Sequence, residues 1–417
     1  MERLEEMKLK SEYCLNCKLK PCSIKGCPLN NNIPEFIKMI KEENYKKAYE
    51  ILLETTVLHP ICGRICPHKK QCQGSCVRGI KGEPVSIGDL ETFIGDIAIK
   101  KGYKIPKRDI KINKRVAVVG GGPAGLTCAA FLAREGIKVT IYEKYDYLGG
   151  ILVHGIPNFR LPKDIVRETI NKILELGIDV KYNQEIGKTI TLDELEQKYD
   201  SVFLGFGANI SSKMSIEGES LDGVYGGNEL LEYSKHPNYN GKTIAVIGGG
   251  NVAMDCARTI KRLGAESVKV IYRRAEKQMP AEEKEVEDAK QEGIEFLFQN
   301  NIVKIIGKEK VEKLELIKTE LIQKEGEDRE IPVNIENSNY IIDVDYIVMA
   351  IGSCPQSFVK DLGLKLNKWG YIEVDENKRT SKEKIYAGGD IVGERATVAW
   401  AAKSGRDAAM SIIEALK

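Results

Sequence analysis

Twice along the chain a short unbroken apolar run gives way to a cluster of glycines, then to small and apolar residues at helical spacing. The first instance is 116–126, VAVVGGGPAGL, and the second is 243–255, TIAVIGGGNVAMD. An apolar run of four or five residues stopped by glycine predicts a buried strand, and the helical spacing after the glycines predicts a helix. Beyond the first turn the pattern predicts a helix over 126–135 ended by Gly136, a strand over 138–143, a helix over 163–176 and strands over 179–182 and 201–207. Beyond the second it predicts a strand over 267–272, a charged helix over 278–291, and alternation over 294–345 that reads as antiparallel strands with a polar hairpin near Gly326. A strand over 345–352, another ending in AGGD at 387–390 and a helix from Thr397 close the chain. Ahead of all this, 33–58 has helical apolar spacing with Pro34 in its first turn, and 101–114 is a basic linker.

Strands alternating with helices predict an α/β fold with parallel sheets. The strand before AGGD belongs with the first glycine-turn unit, so the second unit is inserted within the first. The expected division is a helical head over 1–112, a first Rossmann part over 113–225, an inserted Rossmann domain over 226–350 and the return of the first over 351–417.

Composition narrows the partners. The chain has 417 residues, 42% hydrophobic and 30% charged, with a formal net charge of +2. That balance gives no reason to expect nucleic acid or an anionic membrane as partner. No apolar run approaches the roughly 20 residues of a membrane span, and MERLEEMKLK lacks the apolar core of a secretory signal. The expected compartment is the cytoplasm.

Each glycine turn has the spacing of a dinucleotide-binding loop, in which glycines permit a tight turn, close approach to a pyrophosphate and close helix packing. The first has Gly120, Gly122 and Gly125, with Pro123 and Ala124 at the start of the helix. Glu143 ends the next strand, followed by Lys144. An acid there accepts ribose hydroxyls and repels a 2′-phosphate, so this site suits FAD or NAD(H). The second has Gly248, Gly250 and Ala253, with Asn251 and Val252 between them. Here the next strand ends in Arg273 and Arg274, which can fork onto a 2′-phosphate, so this site suits NADPH. Gly150, in a Gly-Gly pair, and Arg160 are candidate contacts to the first cofactor. Asp390 with Gly389 stands where a flavin's ribityl hydroxyls would bond it. Thr397 and Val398 open a helix whose N–H groups can face the flavin ring. Ala350 and Gly352 end the matching strand of the inserted unit. Cys128, Cys256, Trp369 and Trp400 read as packing residues.

Eight of eleven cysteines fall between Cys14 and Cys76. They form two runs, CLNCKLKPCSIKGCP and CGRICPHKKQCQGSC. A disulfide framework conflicts with a reducing compartment. Two four-cysteine zinc sites remain open. Two iron–sulfur clusters fit best, because CxxC with further cysteines and a Cys-Pro step resembles ferredoxin ligation. His68 reads as an exposed residue of a basic turn.

Taken together, CLNC…PC…GCP, CGRICP…C..GC, GGGPAGL, YEK…LGG…GIPNFRLP, IGGGNVAMD, YRR…MPA and AGGD resemble the small-subunit family of NADPH-dependent glutamate synthase over nearly the whole chain. The chain is similar as well to the N-terminal half of dihydropyrimidine dehydrogenase and to the larger subunit of NADH-dependent ferredoxin:NADP oxidoreductase. The resemblance implies FAD at the first turn, NADPH at the second and two 4Fe–4S clusters in the head. It implies Cys14, Cys17, Cys22 and Cys76 as ligands of one cluster. It implies Cys27, Cys66 and Cys72 for the other, with Glu91 as fourth ligand and Cys62 as the alternative. It supports Arg160 as an FAD contact. The Cys22–Cys27 spacing is one residue longer than the family's, so the chain must bulge there. The expected activity is electron passage from NADPH through FAD and the clusters to a partner, foremost a large glutamate synthase subunit. The alternatives are the flavin subunit of a ferredoxin:NADP transhydrogenase or of a split dihydropyrimidine dehydrogenase, and, in another class, a zinc-bearing flavoprotein. No acid–base residue is singled out, and His154 and His236 have no assigned role.

Overall fold

The computed structural model describes residues 2–108, 112–323 and 330–417. The hairpin expected near Gly326 lies outside them. Two compact units are present. One comprises residues up to 153 with 158–208 and 355–417, and the other comprises 154–157 and 209–354.

The first unit opens with α1 (Glu2–Glu12), α2 (Ile33–Lys41), α3 (Tyr45–Leu53), α4 (His59–Ile65) and α5 (Ile87–Lys100). The single helix expected over 33–58 is two, α2 and α3. Glu43 takes φ +56° after α2, and the Asn44 side chain then caps α3 by accepting the Lys47 N–H at 3.2 Å. The apolar periodicity continues across this break because each helix buries its own apolar residues. Helices α4 and α5 pack closely: a Cβ on Gly63 would lie 2.6 Å from the Thr92 backbone, and one on Gly95 would lie 2.7 Å from Pro60 Cα. Larger residues at either position would separate the two helices.

The body of this unit continues as β1 (Arg115–Val119), α6 (Pro123–Arg134), β2 (Lys138–Tyr142), α7 (Ile151–His154), α8 (Lys163–Leu174), β3 (Asp179–Lys181), α9 (Leu192–Lys198) and β4 (Ser201–Leu204). The second unit contains β5 (Ile210–Ser211), β6 (Val224–Gly226), α10 (Gly227–Tyr233), β7 (Thr243–Ile247), α11 (Asn251–Arg262), β8 (Ser267–Tyr272), α12 (Glu283–Gln291) and β9 (Glu295–Phe298). It continues as β10 (Asn300–Gly307), β11 (Val311–Ile322), β12 (Ile331–Asn334), β13 (Tyr340–Asp343), β14 (Tyr346–Met349) and β15 (Ser353–Cys354). The chain returns to the first unit with β16 (Ile385–Ala387) and α13 (Val398–Leu416).

The first unit's sheet runs β16-β4-β1-β2-β3, all parallel. Val116–Val119 and all of β4 and β16 are buried, as strands covered on both faces must be. The chain leaves β1 toward β2 on one side, and β4 lies on the other. The carboxyl end of β1 is therefore the switch point at which such sheets hold ligands. The second unit repeats this with the parallel order β6-β14-β7-β8-β9, switching at β7. Only β10–β13 form the antiparallel sheet expected of 294–345. The first strand of that stretch, β9, joins the parallel sheet beside β8. The two-stranded ribbon β5–β15 stands where the chain enters and leaves the second unit.

Candidate functional site

The turn after β1 is shaped by contacts that only glycine permits. Gly120 has φ +97°, and a Cβ there would lie 2.6 Å from Phe206 Cα. A Cβ on Gly125 would lie 1.8 Å from the Gly120 carbonyl oxygen. Gly122 caps α6 in extended conformation, Pro123 occupies the first helical turn, and Ala124 is buried beside it. Gly150, at φ +52°, faces Gly122 so closely that its Cβ would lie 3.1 Å from Gly122 Cα. This leaves bare backbone on both sides of the turn. Glu143 is buried directly after β2. Its carboxylate oxygens accept the Gly121 N–H at 2.7 Å and the Tyr145 N–H at 3.1 Å. The acid is thus fixed beside the glycine turn. Lys144 lies next to it with Nζ 4.5 Å from the Tyr145 ring centre, and Arg160 is half-buried in the turn before α8.

From the far end of the chain, β16 brings AGGD to the same place. Gly389 has φ +77°, and a Cβ there would lie 2.9 Å from Ala124 Cβ. Asp390 Oδ1 is buried without a hydrogen-bond partner. Burial, with repulsion from Glu394, pushes its carboxyl up to about 6. A buried carboxylate oxygen with nothing to accept costs about 1–3 kcal/mol, and a polyol's hydroxyls would supply the missing donors. Thr397 caps α13 by accepting the Trp400 N–H, and Val398 begins that helix. A Cβ on Gly405 would lie 2.1 Å from the Ala124 carbonyl oxygen, so α13 lies hard against α6. These residues fit a flavin dinucleotide.

In the second unit Gly248, at φ +140°, stands against Ala350: a Cβ would lie 2.2 Å from the Ala350 carbonyl oxygen. Gly250 caps α11, and a Cβ there would meet nothing within 4 Å. Asn251 begins the helix and its Oδ1 accepts the Glu282 N–H at 2.9 Å, which ties the 279–282 loop to the turn. Val252 and Ala253 pack into the core, and Gly352 comes after β14 at φ +135°. Arg273 is exposed at the end of β8. Arg274 is half-buried, and its Nε has no hydrogen-bond partner. A guanidinium nitrogen held this way fits an incoming anion such as a phosphate.

The head sorts its thiols into two groups out of sequence order. Cys14, Cys17, Cys22 and Cys76 line one cleft, together with Pro34 and Ile37 of α2. Burial pushes the Cys22 thiol up to about 11, and Cys14 and Cys76 interact with it electrostatically. The longer Cys22–Cys27 spacing is taken up as a π-turn over Cys22–Gly26, closed by the Cys27 N–H bonding the Cys22 carbonyl at 2.8 Å. One extra residue per turn is what a π-turn absorbs.

The second group surrounds α4 and α5. Cys27 is pushed up to about 12 by burial and by nearby Glu91. Cys66, which caps α4, hydrogen-bonds the Cys62 thiol and feels Glu91 and Cys72. Glu91 is fully enclosed on α5, hydrogen-bonded by Asn31 Nδ2 at 3.3 Å, and burial pushes it up to about 8. A carboxyl enclosed beside several thiols is a donor set suited to a metal cluster. Both groups therefore fit iron–sulfur ligation, and Glu91 and Cys62 both border the second. Among the described residues no three His, Cys, Asp or Glu side chains stand at the spacing of a single metal ion. His68 is half-buried with its ring against Gly88, and is not the exposed residue expected. Trp369, read as packing, is 66% exposed.

Several residues escaped sequence reasoning because nothing local marks them: Asn31 on Glu91, the Gly121 N–H on Glu143, and Arg406. The Arg406 guanidinium donates to the Leu29 carbonyl at 2.7 Å and the Thr55 carbonyl at 3.1 Å, fastening α13 to the chain beside Cys27.

Comparison with known proteins agrees with this architecture. Residues 114–405 match the family described as pyridine nucleotide-disulphide oxidoreductase. Residues 2–103 match the dihydropyrimidine dehydrogenase domain II, 4Fe-4S cluster family. The glutamate synthase [NADPH] small chain of Escherichia coli (strain K12) is 35% identical, over 99% of this chain and 92% of that one. That of Azospirillum brasilense is 34% identical, over 96% and 87%. The NADP(+)-dependent formate dehydrogenase subunit beta of Moorella thermoacetica is 36% identical over 95% of this chain. This chain spans 60% of that subunit and 66% of the E. coli protein AegA. In fold, Mycobacterium tuberculosis FprA in complex with NADPH superposes with a TM-score of 0.64 at 20% identity, covering 72% of this chain and 84% of FprA. The chain therefore belongs to the family of the NADPH-dependent glutamate synthase small chain, a pyridine nucleotide-disulphide oxidoreductase body behind an iron–sulfur head.

Proposed function

We propose that this chain passes electrons from NADPH to a partner protein as a flavin- and iron–sulfur-dependent oxidoreductase, in the role of a cytoplasmic glutamate synthase small subunit. The chemistry supplied by the bound groups is hydride acceptance from NADPH at FAD and one-electron passage through 4Fe–4S clusters. The chain's part is to hold and orient them. Gly122 and the α6 N-terminus offer N–H groups to a pyrophosphate, and Gly120, whose own N–H bonds the Tyr142 carbonyl, makes the tight turn. Glu143 accepts ribose hydroxyls and Asp390 accepts those of the ribityl chain. Arg273 and Arg274 bind the 2′-phosphate. The thiols of Cys14, Cys17, Cys22 and Cys76 hold one cluster. Those of Cys27, Cys66 and Cys72, with Glu91, hold the second.

The observation that carries this reading is one chain with an acid-ended glycine turn, an arginine-ended glycine turn and two separate thiol groups. The acid-ended turn excludes a 2′-phosphate and the arginine-ended one invites it, so the two sites take different dinucleotides. The test is reconstitution with a glutamate synthase large chain. Glutamate formation that requires NADPH, glutamine and 2-oxoglutarate supports the reading. NADPH oxidation that reduces artificial acceptors, yet never couples to that large chain, shifts the partner to another redox protein such as a formate dehydrogenase.

A further inference from the structure

The arginine turn of the second unit is held from outside its own sheet. After β8, the Arg273 carbonyl accepts a hydrogen bond from Thr319 Oγ1 at 2.8 Å. The next carbonyl, of Arg274, accepts the Gln299 N–H at 3.1 Å. The two donors are tied to each other. The Thr319 N–H bonds the Gln299 carbonyl at 2.8 Å, and Gln299 Nε2 bonds the Thr319 carbonyl at 3.2 Å. Gln299 sits between β9 of the parallel sheet and β10 of the antiparallel sheet, with φ +54°. Thr319 lies on β11, 3% exposed, paired with Asn334 of β12. A short backbone turn would otherwise flex. Here both of its carbonyls are fixed to one node, the buried Thr319 of β11 and the Gln299 bonded to it.

We propose that Thr319 and Gln299 are positioning residues for dinucleotide selectivity, holding the backbone from which Arg273 and Arg274 reach a 2′-phosphate. This rests on the reading that these arginines bind the 2′-phosphate. The antiparallel sheet then has a task in cofactor choice, although it contributes none of the glycine-turn residues. The benefit is preorganisation. Two guanidinium groups on a fixed turn lose less freedom on binding than two on a mobile loop. NADH has no 2′-phosphate, so loosening the turn leaves its binding untouched.

The test uses the holoenzyme, with ferricyanide as acceptor and NADPH or NADH as donor. Thr319→Val removes the hydroxyl at nearly constant volume. The expected result is a fall in kcat/KM for NADPH of about fivefold, carried by KM, with the value for NADH within twofold of wild type. Thr319→Ser restores the NADPH value. Thr319→Ala repeats the measurement should the valine variant fold poorly. The ratio of the two kcat/KM values does not depend on the fraction of active protein. Introduced into Arg273→Ala/Arg274→Ala, the Thr319→Val change has no further effect on that ratio, because the groups it positions are gone. Equal losses for both donors, or an unchanged ratio, overturn the clamp. A double arginine variant that keeps its NADPH preference removes the underlying reading. A double arginine variant that loses the preference while Thr319→Val keeps it removes the clamp alone.

Discussion

At the scale of single residues, charge decides what each turn accepts. Glu143 and the Arg273–Arg274 pair occupy matching positions, 23 residues after Gly120 and 25 after Gly248. Replacing both arginines by alanine lowers the NADPH-to-NADH ratio of kcat/KM by about 10- to 100-fold, measured by steady-state ferricyanide reduction. Asp390 gives a pH signature. Its carboxyl is pushed up to about 6 from an ordinary value near 3.8. The folded flavin-free protein therefore binds more protons than the unfolded chain between those values. Asp390 thus favours the fold fully below about pH 4 and loses that contribution as pH rises through 6. The difference in thermal midpoint between flavin-free wild type and Asp390→Asn should accordingly shift against wild type from pH 4 to pH 7. A difference constant across that range contradicts the assignment. These residues were legible in the sequence because each sits at a fixed offset from a glycine turn. Thr319, 46 residues from Arg273, was not, because only strand pairing brings it there.

At the scale of elements, glycine sets how closely helices approach. Gly405→Ala would drive a Cβ to 2.1 Å from the Ala124 carbonyl, so α13 must move away from α6. The expected cost is about 1–3 kcal/mol, read as a lowered thermal midpoint, together with loss of bound flavin from the protein as purified. An alanine variant that keeps its flavin and its midpoint contradicts this packing. The strands and helices around each glycine turn were readable to within a few residues, since apolar runs and glycine stops are local signals. Positions 33–58 misled because two short amphipathic helices in succession mimic one. The true break lies in the left-handed backbone of Glu43, which no periodicity marks. The sorting of thiols came from the family resemblance, and no local pattern marks it. Cys76 joins Cys14, Cys17 and Cys22 only because the 3₁₀ turns of 68–80 fold back onto the π-turn at Cys22–Gly26. The extra residue in that turn, by contrast, was visible as a spacing, and it became the π-turn.

At the scale of the whole molecule, the chain joins two-electron and one-electron chemistry. Among the described residues no helix is long and apolar enough to cross a membrane. Arg406 is one of the residues, with Arg134, that tie the body of the first unit to the head. It lies on α13, whose first turn comes after the AGGD loop, and it holds the Leu29 and Thr55 carbonyls of the head. Arg406→Met keeps much of the aliphatic stem and removes two charge-assisted hydrogen bonds, each worth about 1.5–3 kcal/mol. Flavin reduction by NADPH, monitored by stopped-flow absorbance, should stay within twofold of wild type. Subsequent transfer to the head should slow. Slowing of the first step instead would mean that Arg406 serves the flavin site.

A head that conducts single electrons through two thiol groups must hold iron and sulfide. Iron, acid-labile sulfide, zinc and flavin should be quantified together in anaerobically purified protein. The expected result is about eight iron and eight sulfide per chain, with one FAD and no stoichiometric zinc. Zinc without sulfide, or iron at half that amount with wild-type Cys27, Cys66, Cys72 and Glu91 in place, would contradict it.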